Sequence, residues 1–173
     1  MSRNHFDREI EAIRNKLLKL TSIVEKSLND SVKAVETQDV ELANKIREAD
    51  CEIDDLEVEL EEDCLKLLAL YQPVASDLRY LIATLKINND VERIGDLAGN
   101  IASRARALTK FADVKCPYDL GKLTFLVQKM FKDAMISLVE QSVEKARKVL
   151  EDCLLYTSPS PRDATLSRMP SSA

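Results

Sequence analysis

Apolar residues step through the first hundred positions of this chain at intervals of three and four, a spacing that a backbone satisfies only as long amphipathic helices. Ile10, Ile13, Leu17, Leu20, Val24, Leu28, Val32 and Val35 form the first stripe. Thr37-Gln38-Asp39 interrupts it, and Asp39 is placed to cap the helix that follows. A second stripe runs through Leu42, Ile46, Ala49, Ile53, Leu56, Leu60, Cys64 and Leu67. It should end near Tyr71-Gln72-Pro73, because the residue before a proline is biased away from helix. Ser76 and Asp77 offer the next cap. Leu78, Leu81, Leu85, Val91, Ile94, Leu97, Ile101 and Leu108 then predict a third helix of roughly nine turns. Such stripes cannot be buried singly, so residues 1–111 are expected to form an antiparallel three-helix bundle. With only three glycines in 173 residues and an abundance of Leu, Ala, Glu, Lys and Arg, the expected fold class is all-α.

Residues 112–119, which include Pro117, read as a linker, and a fourth helix is expected from about Leu120, carrying Leu123, Val127, Met130, Met135 and Leu138. Ser27–Asp50 aligns with Met130–Cys153 at a constant offset of 103, with seven identities in 24 ungapped pairs. Asp30 falls on Asp133, Gln38 on Gln141, Val40 on Val143, Glu41 on Glu144, Ala43 on Ala146, Lys45 on Lys148 and Glu48 on Glu151. The chain therefore reads as one complete three-helix unit and a partial second repeat at 120–152. The likeness fails at Cys153, where Pro159, Pro161 and several serines replace an amphipathic continuation. Residues 153–173 are expected to be a disordered tail. The string CLLYTSPSPRD resembles the conceptual translation of a transposon-based sequencing adapter, which would make the tail an adapter-derived artefact and the natural protein two helices longer.

The acidic residues carry the chemistry. Asp50, Asp54, Glu57 and Glu61 share one face of the second helix, and Asn89, Glu92, Asp96 and Asn100 share one face of the third. Facing each other in a bundle, such rows repel, and a hard cation with oxygen ligands relieves the repulsion. The competing reading is a solvated acidic face with Arg or Lys partners, since Glu52, Asp55, Glu59, Glu62 and Asp63 put acids on other faces too. Val91, Ile94 and Leu97 place Glu92 and Asp96 close to the seam, and Gly95 permits close approach.

Several function classes are disfavoured. A net charge of −5 is wrong for a general nucleic-acid binder, which needs a basic face. No apolar run approaches the roughly 20 residues that span a bilayer, and the N-terminus has no apolar secretory segment. Cys51, Cys64, Cys116 and Cys153 form no C-x-x-C pair, so zinc-type spacing is lacking. His5, the only histidine, is expected before the first helix. A ferritin-like di-metal enzyme needs helical Glu-x-x-His pairs, which leaves no catalytic residue to nominate. Arg79 and Arg93 suit an anion, though an Arg beside acids more often pairs with them.

Two segments carry a family resemblance: Tyr71–Arg79 (YQPVASDLR) and Asn89–Ala102, which contains Glu92-Arg93-Ile94-Gly95-Asp96 (ERIGD). Over residues 6–152 the chain resembles the PhoU family. The resemblance implies PhoU-like three-helix bundles related by duplication, and carboxylate motifs that ligate metal ions. Carried over, the ligands are Glu57, Glu61, Glu92 and Asp96, with Asp54 and Asp90 as supplements. Glu61 stands where the family usually has a second Asp. The metal would be divalent or trivalent, with iron, zinc, manganese and magnesium all open. The implied role is a cytoplasmic, non-enzymatic negative regulator of phosphate uptake and of the two-component phosphate-starvation response. The implied partners are the ATPase subunit of a phosphate ABC transporter and a phosphate-sensing histidine kinase. Homo-oligomers are expected, with no nucleic acid and with membrane contact only through those partners. The alternative is a helical scaffold without metal.

Overall fold

The computed structural model describes residues 3–111 and 120–157. Its elements are α1 (Arg3–Thr37), α2 (Val40–Tyr71), α3 (Ala75–Leu108), α4 (Leu120–Val139) and α5 (Val143–Thr157). The linker expected at 112–119 and the tail from 158 onward lie outside the described residues. His5 falls inside α1 rather than before it, edge-on to Tyr71 at 6.3 Å, while Phe6 packs on the same ring at 5.2 Å. These contacts tie the start of α1 to the end of α2.

Every pair among α1, α2 and α3 packs together, and their seams keep a strict alternation of threes and fours. On α1 the buried line is Ile13, Leu17, Leu20, Val24, Ser27, Ser31 and Ala34. On α3 it is Leu81, Thr84, Asn88, Val91, Gly95, Ala98, Ala102 and Ala105. A 3.5-residue period is the geometry of left-handed supercoiled packing. Side chains such as Leu20 and Leu60, at 0% exposure, each stabilise the bundle by roughly 1.5–3 kcal/mol. One end of the core is built of small residues, where Ala34, Ala43, Ala102 and Ala105 gather round Ile46.

The α3 seam differs from the expected one. Of that stripe only Leu81 and Val91 are buried, Leu85, Ile94, Ile101 and Leu108 are half-buried, and Leu78 and Leu97 are exposed. The face that packs is chosen by size, because small residues let the helices approach and the bulky aliphatics fill the flanks. The same holds on α1, where Ser27, Ser31 and Ala34 are buried while Val32 and Val35 stay half-buried.

Asp39 caps α2 as expected, its Oδ1 accepting from the Leu42 N–H at 2.9 Å. Neither Ser76 nor Asp77 caps α3, which starts earlier at Ala75 with Val74 as an uncapped boundary residue. Gln72 (φ 46°) and Ala75 (φ 51°) both adopt left-handed backbone, bringing the chain round Pro73 within four residues.

The second hairpin repeats the first at its junction. Gln38 and Gln141 are both left-handed, at φ 54° and 51°. The Asp39 N–H donates to the Ala34 carbonyl at 3.1 Å, and the equivalent Ser142 N–H donates to Ser137 at 2.9 Å. Ala43 N–H to Asp39 is likewise matched by Ala146 N–H to Ser142. Ser142 Oγ also accepts from the Lys145 N–H, as Asp39 does from Leu42. The fold is thus all-α, one complete three-helix bundle with part of a second.

Two compact units part within α4, after Gln128. α5 runs to Thr157, past the expected tail boundary at 153, because no proline or glycine occurs before Pro159 to stop it. No helix among the described residues is long and apolar enough to cross a membrane.

Candidate functional site

The α2 seam runs Ala43, Ile46, Asp50, Ile53, Glu57, Leu60, Cys64 and Leu67. All are buried except Asp50 and Glu57, which are half-buried. Two carboxylates thus stand at positions where the packing pattern calls for apolar side chains. What faces them on α3 makes room. A Cβ at Gly99 would meet the Asp50 carboxylate oxygens at 3.8 and 3.9 Å, and one at Gly95 would meet Ile53 at 3.1 and 3.3 Å. Gly95 therefore serves helix packing, with Ile53 of α2 and Val24 of α1 as the groups that approach it.

Asn88 sets the register of this antiparallel pair. It is 1% exposed, and its Nδ2 donates to the Glu57 main-chain carbonyl at 2.8 Å. Asn88 carries no apolar signal and so falls outside the hydrophobic stripe. Its signal was the seven-residue spacing Leu81, Asn88, Gly95, Ala102, in which a polar residue on a helix seam fixes alignment.

The acids of α2 divide by face. On the α1 side, Lys16 bonds Asp63 at 2.5 Å and Glu59 at 3.4 Å, Lys19 reaches Glu52 at 3.5 Å, and Lys66 reaches Glu62 and Asp63. On the α3 side, Asp50, Asp54, Glu57 and Glu61 make no ion pair within 4.0 Å among the described residues, nor do Glu92 and Asp96 across from them. The solvated-face reading therefore holds for the α1 side of α2 only.

The unpaired acids act on one another. Burial raises the Glu92 carboxyl above its ordinary range, followed by the charges of Asp96, Asp54 and Glu57 and a hydrogen bond with Asp96. Asp50 is raised by burial, then by Asp54 and Asp96, against a smaller lowering from Arg47. Glu57 is raised by burial, then by Glu61 and Asp54. Asp50, Asp54 and Glu57 of α2 thus share one electrostatic neighbourhood with Glu92 and Asp96 of α3.

Of the expected ligands, Glu57, Glu92 and Asp96 meet in this neighbourhood, as does the supplement Asp54. Glu61 acts on Glu57 and on Cys64 of its own helix. Asp50, named only as part of the α2 row, belongs more closely than Glu61. Asp90 does not join, for two residues before Glu92 it lies about 200° round α3, and it is exposed. Arg79 and Arg93 are exposed and make no ion pair among the described residues.

A hard cation fits this donor set in chemistry: every donor is a carboxylate oxygen, the groups penalise each other's charge, and no lysine or arginine bridges them. It fits less well in rotamer, because among the described residues no three His, Cys, Asp or Glu side chains are gathered at ligating distance. Binding would require a change of rotamer among these carboxylates, about backbones that Asn88 already holds in register.

The family model described as the PhoU domain matches residues 17–105. A "phosphate-specific transport system accessory protein PhoU homolog" of Aquifex aeolicus is 36% identical over 144 residues, covering 83% of this chain and 65% of that protein. Homologues of Thermotoga maritima (38%, covering 82% and 62%) and Clostridium acetobutylicum (35%, covering 86% and 68%) are similar. The crystal structure of PhoU from Pseudomonas aeruginosa matches with a TM-score of 0.75 at 32% identity, covering 92% of this chain and 84% of that one. The chain spans slightly less than two thirds of the Aquifex and Thermotoga proteins.

Proposed function

The chain belongs to the PhoU family, and from that premise we propose that it is a non-enzymatic regulator of phosphate transport and of phosphate-starvation signalling. The names of its relatives, accessory proteins of phosphate-specific transport, support the first part. In this reading the protein works by surface contact at the cytoplasmic face, against the transporter ATPase and a sensor kinase, and restrains uptake when phosphate is plentiful.

The observation that carries the metal part of the reading is the unpaired row across α2 and α3. Glu57, Glu61, Glu92 and Asp96, with Asp54 and Asp50, would hold a divalent or trivalent cation such as iron, zinc, manganese or magnesium. The ion would supply positive charge that cross-links two helices and turns an acidic face into a mixed one. The protein's own part is to hold the row in register through Asn88 and to leave space for it at Gly99.

Metal analysis of purified protein tests this: wild type should carry bound metal, and Glu92→Ala should lose it while keeping its helical spectrum. Equal metal content in both, or none in either, would sink the metal assignment. A metal-free helical scaffold is the second reading, favoured by the absence of any three acids gathered at ligating distance among the described residues. Pull-downs with the ATPase and kinase domains test the partner reading apart from the metal.

A further inference from the structure

α2 carries a second seam on its outward side. Glu48, Asp55 and Glu62 stand seven residues apart, and Cys51, Val58 and Leu65 stand seven apart between them. Together they step by threes and fours without a break. All six are exposed, Val58 by 51% and Leu65 by 50%. On its inward side the same helix uses the same spacing to pack against α1 and α3. Among the described residues no helix covers the outward seam.

Residues that recur every seven positions keep to one side of a helix along its whole length, and that is the surface a further helix covers. Charge decides which helix. α2 carries eleven acids against Lys45, Arg47 and Lys66. From α1, Lys16 reaches Glu59 and Asp63, and Lys19 reaches Glu52. With those two lysines counted as well, six acids remain in excess. On the seam Glu62 meets Lys66, at 3.8 Å, while Glu48 and Asp55 make no ion pair among the described residues. The excess belongs to this helix rather than to the bundle, because the outward side of α3 carries exposed Arg79, Lys86, Arg93 and Arg104 against Asp90 and Asp96.

An acidic seam repels nucleic acid and anionic lipid alike, and its exposed aliphatic side chains give a small cation nothing to bind. A helix with apolar and basic residues at matching steps satisfies both parts of the pattern. We propose that the outward seam of α2 docks a cationic amphipathic helix of a partner protein. Its lysines or arginines lie against Glu48, Asp55 and Glu62, and its aliphatic side chains cover Val58 and Leu65. The seam is separate from the carboxylate row that faces α3, and docking needs no metal.

Fluorescence anisotropy of the full chain, in chelator and at low salt, tests this with a labelled peptide of about five turns that bears lysines and leucines at seven-residue steps. Reversing Glu48, Asp55 and Glu62 to Lys together should weaken binding about tenfold with helical content unchanged, and the triple variant should bind the glutamate-bearing counterpart peptide instead. Val58→Ser with Leu65→Ser should weaken the wild-type interaction as well. Bound peptide should slow alkylation of Cys51, exposed in the free chain, a readout that needs no substitution. Equal binding of a scrambled peptide of the same composition, indifference to the triple reversal, or an unchanged rate at Cys51 would overturn the proposal. So would a wild type that binds no peptide but loses self-association on the triple reversal, which would give the seam to a second copy.

Discussion

Two glycines one turn apart on α3 should respond oppositely to the same substitution. In a helix interior Gly→Ala is worth about 1 kcal/mol of stability where the new methyl fits. At Gly99 the nearest atoms to an added Cβ are the Asp50 carboxylate oxygens at 3.8 and 3.9 Å, an ordinary contact, so Gly99→Ala should gain that full amount. At Gly95 the methyl meets Ile53 Cδ1 at 3.1 Å and Cγ2 at 3.3 Å, with Val24 Cγ2 behind at 3.6 Å. Cδ1 ends a flexible arm, but Cγ2 is fixed by the stiff χ1 of a β-branched residue. Ile53 is 1% exposed and Val24 0%, so neither has open space to move into. Overpacking of this kind costs about 1–3 kcal/mol, which cancels or outweighs the helical gain. The two variants should therefore differ by about 1–3 kcal/mol, read by urea or thermal unfolding followed by circular dichroism. Adding Ile53→Val to Gly95→Ala should cost less than the sum of the single changes, because the first removes the Cδ1 that the second strikes. A gain at Gly95 equal to that at Gly99 would refute the account of α3 packing.

Glu92, Asp50 and Glu57 hold protons more tightly folded than unfolded, so their contribution is full below the ordinary values of 3.8 and 4.5 and is lost as pH rises through the raised ones. In metal-free protein Glu92→Gln should therefore match wild type at low pH, melt progressively higher than it as pH rises through that window and keep a level advantage above it, and a constant difference across all pH would contradict this. The Cys64 thiol, pushed up to about 11 chiefly by burial, should resist a thiol reagent near neutral pH until the bundle unfolds, while exposed Cys51 reacts at once; comparable rates at both would be the failing result in mass-mapped labelling. Leu123, Phe125, Val143 and Leu150 are 56–67% exposed, so the 173-residue chain should self-associate in light scattering and a version ending near Ala112 should not. Sequencing the locus in intact genomic DNA should show no CLLYTSPSPRD string, and its presence there would return the tail to biology.

The helices were legible because apolar spacing is a strong signal over nine turns, and Asp39 and Pro73 punctuate it with unambiguous chemistry. The α3 seam was not, because a reading weighted by hydrophobicity favours Leu97 and Ile101 over Gly95, Ala98 and Ala102, whereas close packing weights small size. The same bias hid Asn88 and Thr84, polar residues that no apolar template counts. For the acidic site, spacing placed Glu57 and Glu61 on one face and Glu92 and Asp96 on another. Which acids already had lysine partners depends on α1, whose Lys16 and Lys19 reach α2 only through tertiary packing. That partition, not the motif, separates Asp54 and Glu57 from Glu52 and Glu59. Asp90 failed for a local reason, since two residues along a helix point to opposite sides.

The duplication is expressed in local chemistry as well as in backbone. The hairpin junction occurs in both repeats, and so does the lining beside it, where Lys26, Asp30 and Lys45 answer to Lys129, Asp133 and Lys148. The acidic row has no counterpart that the alignment reaches, because the likeness between the repeats ends at Cys153, the position aligned with Asp50. The row lies on the α3 side of α2 and the lysine-paired acids on its α1 side, so Lys16→Gln should leave metal binding by the row unchanged. Should Lys16→Gln abolish metal binding while the bundle stays folded, the separation of the two faces by α2 would be wrong, and the carboxylates and lysines would have to be treated as one surface.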